Sequence, residues 1–119
     1  MKRYFATVVL MLLAGPGIFA KRVHPPKVTP ITKDGITYTA TGDGKTACVV
    51  ASDANTGKEL WKAKIYHVHI NPFIEEDNQW IYISEMNLSG NAILIRNEAA
   101  RCYRLNLIKK SVKKDKCDE

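Results

Sequence analysis

The 119-residue sequence predicts an all-β antiparallel domain, a sandwich or open barrel of about six to eight short strands, behind an N-terminal signal peptide. Three observations predict it. From residue 35 onward, runs rich in Thr, Val, Ile and Tyr alternate with turn clusters of Gly, Asp and Asn. No stretch repeats apolar residues at helical spacing. The one long apolar run, residues 4–14, follows Lys2 and Arg3 and is broken by Gly15, Pro16 and Gly17. It is short for a membrane span and has the layout of a secretory signal peptide.

In chain order, residues 1–20 form the expected signal peptide, with cleavage after Ala20; Ile18 departs from the small residue favoured near such a site. Residues 21–30 carry Pro25, Pro26 and Pro30 and read as an extended lead-in. The β domain is expected over 31–114 and a charged tail over 115–119. "GITYTA" (35–40) is a strand, "TGDGK" (41–45) a turn and "TACVVAS" (46–52) the next strand. "KELWKAKIYHVHI" (58–70) is a long strand ended by Asn71–Pro72, and 73–79 suits one helical turn. "QWIYISEMNL" (79–88) reads as a central strand covered on both faces, with Trp80, Tyr82 and Ser84 on one side and Ile81, Ile83 and Glu85 on the other. "NAILIRN" (91–97) and "RCYRLNL" (101–107) follow, with a hairpin turn at Lys109 and Lys110 before "SVKKDKC".

One stretch carries a pattern. In "VVASDANTGKELWKAKI", Asp53 ends a strand, Thr56 and Gly57 make a turn, and Leu60 and Trp61 lead a second strand. Asp53 suits a carboxylate that holds the turn through backbone N–H groups. Gly57 suits a positive φ, and Trp61, Ala63 and Ile65 share a face opposite Lys62 and Lys64. The block resembles one repeat of the quinoprotein-dehydrogenase-like β-propellers, and the resemblance implies a hairpin with a core anchor. In that family the quinone is held outside the repeat motif by residues with no match here, so no cofactor is expected. A weaker echo follows at "CYRLNLIKKSVKK", where Asn106 lies 106 − 53 = 53 residues after Asp53.

The remaining constellations are sparse. His67 and His69 stand two apart on a strand, a spacing that places two imidazoles on one face for a metal ion. His24, Glu75, Glu76 and Asp77 are the candidate third ligands. In a regular strand both histidines share the face of Trp61; a bulge near Tyr66 turns them outward. Glu75, Glu76 and Asp77 read either as a carboxylate site or, more simply, as the acidic start of a helical turn. Ser52, Ser84, Ser89 and Ser111 lack a nucleophile elbow, and the cysteines form no C-x-x-C. No catalytic residue is identified, and an enzyme is not expected.

Cys48, Cys102 and Cys117 leave one thiol over after a single bridge. A Cys102–Cys117 bridge is favoured by a hairpin in which Leu107 faces Val112, because the two cysteines are then directly opposite. If the turn copies the one after Asp53, Asn106 faces Ser111 and the cysteines are diagonal. Cys48–Cys102 is the rival pairing.

The chain carries 18 basic and 12 acidic residues, a net charge of +6 that falls to +4 once Lys2 and Arg3 are removed. Much of the excess lies in "KKSVKKDKCDE", either a solvated tail or a patch for anionic surfaces. Together these features predict an exported, periplasmic or secreted, non-catalytic module that binds an envelope or extracellular macromolecule, with no nucleic acid expected. The alternative is a metal-binding protein using His67 and His69. The mature chain is expected to begin near Lys21; N-terminal sequencing of the protein from envelope fractions checks this, and intact Met1 in the cytosol would contradict it.

Overall fold

The computed structural model describes residues 26–117, so the predicted signal peptide and His24 lie outside the described residues. The fold is all-β. Eight strands, β1 (Ile31–Lys33), β2 (Ile36–Gly42), β3 (Thr46–Asp53), β4 (Glu59–His67), β5 (Ile83–Ser89), β6 (Ala92–Asn97), β7 (Cys102–Asn106) and β8 (Ser111–Asp115), form two four-stranded antiparallel sheets. Each sheet is a meander in which sequence neighbours pair, β1 to β4 in the first and β5 to β8 in the second.

The two sheets repeat one another closely. β1 and β2 are joined by Asp34–Gly35, both at positive φ, the two-residue turn that matches strand twist. β5 and β6 are joined by a two-residue turn at Gly90–Asn91. After β3, Asp53 Oδ1 accepts from the N–H groups of Asn55 and Thr56, at 2.8 and 3.1 Å, and the Asp53 carbonyl accepts from Gly57 N–H at 2.8 Å. After β7, Asn106 Oδ1 accepts from Ile108 and Lys109, both at 2.9 Å, and its carbonyl from Lys110 N–H at 2.7 Å. Gly57 and Lys110, the fifth residue of each turn, have φ of 79° and 59°. Ala54 N–H reaches back to Gly35 O, and Leu107 N–H to Asn91 O. The echo at Asn106 therefore extends beyond one hairpin to a whole sheet.

What differs is the face each sheet buries. Ala51 and Val49, two and four residues before Asp53, point into the core. In the second sheet it is Leu105 and Tyr103, one and three residues before Asn106. Successive strand residues point to opposite faces, so equivalent strands turn opposite faces to each other. The sheets stack face to back, like two chairs. Val49, Ile93, Ile95 and Leu105 fill the centre, with Tyr38, Ala47, Ile65, Ile83 and Met86 around them. The outer face of the first sheet carries Thr37, Thr39, Cys48, Val50 and Ser52, and that of the second Glu85, Arg96 and Arg104.

Several expectations are corrected by this arrangement. β1 extends the sheet beyond the strands foreseen, and three residues are too few to show alternation. Residues 79–82 are not strand: Ile81 N–H donates to Gly44 O and Tyr82 pairs with Glu98 in isolation, so β5 starts at Ile83 and is an edge strand, not a central one. The basic stretch is no free tail, because Lys113 and Lys114 lie on β8, an edge strand. Lysines on an edge discourage pairing with another chain.

The register of β7 and β8 follows the Asx turn: Asn106 faces Ser111, Leu105 faces Val112 and Cys102 faces Asp115. Leu107 does not face Val112, so the direct opposition of the cysteines is wrong. The bridge forms nonetheless. Beyond Asp115 the chain leaves the strand, Lys116 N–H turns onto Asp115 Oδ1, and Cys117 closes on Cys102 with Cα atoms 5.3 Å apart. Closing this loop constrains the unfolded chain by about 3 kcal/mol on an entropic account. Cys48 is a free thiol on the first sheet.

Trp61 is half-buried rather than buried, with Tyr38 at 5.9 Å and Lys110 Nζ 5.4 Å above its ring. Trp61→Ala is therefore expected to cost about 2 kcal/mol, below the range for a fully buried indole. Gly57→Ala, where a Cβ meets open space but φ is positive, is expected to cost about 1 kcal/mol. Chemical denaturation checks both, and unchanged midpoints would contradict the anchoring role of this hairpin.

Candidate interaction surface

The segment between the sheets, residues 68–82, is held at both ends. Val68 N–H donates to Lys45 O and Ile81 N–H to Gly44 O. Tyr66 ties the same region together: its hydroxyl donates to Ile81 O at 2.7 Å, and its ring stacks on Tyr103 of the second sheet with centroids 5.3 Å apart. Burial raises the Tyr66 phenol above its ordinary pKa, with Tyr103 and Glu98 adding to the effect. Trp80 lies against Gly44, where a Cβ would fall 2.5 Å from the indole and where φ is +93°. Asp43 Oδ1 accepts from Thr46 and Lys45 N–H groups, which lowers its carboxyl pKa and fixes the turn carrying Gly44.

Between these anchors, one side chain organises the loop. Gln79 Oε1 accepts from Asn71 N–H at 2.7 Å, and Gln79 Nε2 donates to the carbonyls of Asn71 and Ile74 at 3.0 and 3.1 Å. Asn71 Oδ1 accepts from Phe73 N–H at 2.9 Å, and Ile74 N–H donates to Asn71 O. A short 3-10 turn, Glu76–Gln79, brings Gln79 round to this position. The result is a fixed tip on which Phe73 is 93% exposed and Ile74 53% exposed. Burying such side chains is worth about 1.5–3 kcal/mol each. Single exposed apolar residues are common on proteins; two adjacent ones on a clamped loop make this the candidate contact surface.

The sequence-predicted sites fall elsewhere. A bulge at Ile65 lets both Ile65 and Tyr66 turn inward, and His67 and His69 are exposed, as a bulge near Tyr66 implies. His67 Nδ1 is 2.8 Å from Thr46 Oγ1, and the two imidazole centroids are 6.4 Å apart. Among the described residues no group of three metal-ligating side chains forms around them. Glu76 and Asp77 open the 3-10 turn, and Glu76 pairs with Lys45 at 3.1 Å. Asp53, Thr56 and Gly57 form the turn described above, and Leu60 bulges out beside Trp61. Cys102 and Cys117 border a groove of about 290 Å³ on the outer face of the second sheet.

Phe73 and Gln79 escaped the sequence reading. The one available signal was a pair of large apolar residues directly after Asn–Pro, in a stretch with no strand or helix period. Gln79→Ala is expected to raise hydrogen exchange at the Phe73 and Ile74 amides while leaving β3, β6 and β7 protected. Unchanged exchange at the tip would contradict the clamp.

No protein-family model matches the chain, and no curated protein sequence matches it.

Proposed function

We propose that the protein is an exported, non-catalytic binding module whose contact surface is the tip at Phe73 and Ile74. The clamped exposure of these two side chains is the observation that carries the reading. A loop ordered before binding loses little conformational entropy in the complex, so its apolar area contributes more of its gross value. Export is supported by the charged, apolar and Gly-Pro-Gly order of the first twenty residues, and a Cys102–Cys117 disulfide is compatible with an oxidising compartment. The likeness to quinoprotein-type repeats is supported by the Asx turn that recurs at Asp53 and Asn106 in two equivalent four-stranded meanders. No cofactor is carried over from that resemblance.

Photo-cross-linking in living cells, with the reactive side chain in place of Phe73, tests the reading. One dominant adduct is expected at residue 73, weakened by Gln79→Ala, and none from the same probe at Lys62 on the outer face of the first sheet. Equal labelling from both positions would contradict it.

A further inference from the structure

We propose that the tip of one chain docks into the groove beside the Cys102–Cys117 disulfide of a second copy, head to tail. The inference rests on the reading of residues 71–79 as a display loop and names its partner. The groove of about 290 Å³ is bordered by Leu94 and the disulfide, with Arg96, Arg104 and Lys116 around them. A second hollow of about 440 Å³ adjoins it and adds Arg101 and Lys114. Across both hollows five basic side chains stand against two acidic ones, Glu85 and Asp115, and Asp115 is already bridged to Arg104.

The tip has the opposite character. Phe73 and Ile74 are followed by Glu75, Glu76 and Asp77, the one run of three carboxylates in the sequence. On an exported chain of net charge +4, copies repel each other on average, and this tip is locally acidic even with Glu76 paired to Lys45. An apolar side chain entering the hollow would bring those carboxylates toward its basic border, so shape and charge favour the same orientation. The hollow is near the lower end of ligand-sized cavities, about 300 Å³, which suits one aromatic side chain rather than a large ligand.

Tip and groove are different patches, so each docking event leaves one tip and one groove free. The contact is heterologous and builds rings or open chains instead of a closed two-fold dimer. A single loop in a groove is a small interface, so the association is weak and concentration-dependent.

Sedimentation of the purified protein, from about 1 µM to about 1 mM, spans the range of such weak contacts. The expected result is a mean mass that rises past that of a dimer. Phe73→Ser and the double variant Arg101→Glu/Lys116→Glu are each expected to weaken association about tenfold or more. All three side chains are exposed, so the fold should persist, and retained strand circular dichroism verifies it. An equimolar mixture of the two variants holds one intact tip and one intact groove. It is expected to form a dimer that stops at two chains. A wild type that stays monomeric throughout, or a mixture without dimer, overturns the inference. If residue 73 then cross-links to a different protein, the display-loop reading survives this failure; if it cross-links to nothing, both fall.

Discussion

The structure depends on the packing of two sheets that are each too small to stand alone. A four-stranded meander of this size has one face to bury and little else to hold it, so its stability comes from what covers that face. Here the cover is the other meander, laid face to back, and Val49, Ile93, Ile95 and Leu105 are fully enclosed between them. The face-to-back arrangement explains why equivalent strands differ in pattern. Thr37 and Thr39 of β2 correspond to Ile93 and Ile95 of β6, counted from the tight turn that precedes each strand. The first pair faces outward on its sheet, the second inward. Neither outer face offers a further sheet the apolar surface that these two offer each other.

The Asx turns fix what the packing alone leaves free. A strand pair slipped by one residue would put every side chain on the wrong face, so register must be set somewhere. Asp53 and Asn106 set it by accepting, on one side-chain oxygen, the N–H groups two and three residues on, and the fifth residue closes the turn at positive φ. Glycine serves in the first sheet and Lys110 in the second. Lys110 holds a conformation that L-residues disfavour, and its ammonium lies over Trp61. A cation–π contact of about 0.5–1 kcal/mol offsets part of that cost and joins the second turn to the first sheet.

How much of this was legible in the sequence follows from the range of the interactions. β2, β3, β6 and β7 announced themselves through alternation and turn residues, since both are local. The Asp53 turn was legible for the same reason. The Cys102–Cys117 bridge was foreseen, but its geometry was not. Direct opposition assumed that Leu107 faces Val112, whereas the turn at Asn106 sets Asn106 against Ser111 and Cys102 against Asp115. Trp80 and Tyr82 continue the two-residue period of Ser84 backward from β5 and are still not strand. Trp80 is instead drawn to Gly44, where the missing Cβ leaves room for an indole, and no local pattern reveals that partner. The tip at Phe73 was hidden for a related reason, because its clamp joins residues eight apart through one amide side chain.

The same physical feature that hid the tip makes it suited to binding. Apolar residues on a mobile loop can fold back against the protein, and recognition must then pull them out. Gln79 removes that option by tying the backbone on both sides of Phe73, through Asn71 before it and Ile74 after it. The N–H groups of Asn71, Phe73 and Ile74 are bonded within the loop, so the backbone around the two apolar side chains is fixed before any partner arrives. The anchors at Lys45, Gly44 and Tyr66 connect that loop to both sheets, so its position is inherited from the core packing. Two small sheets that cannot stand apart thus provide a rigid mount, and the segment joining them is where the chain displays apolar surface instead of burying it.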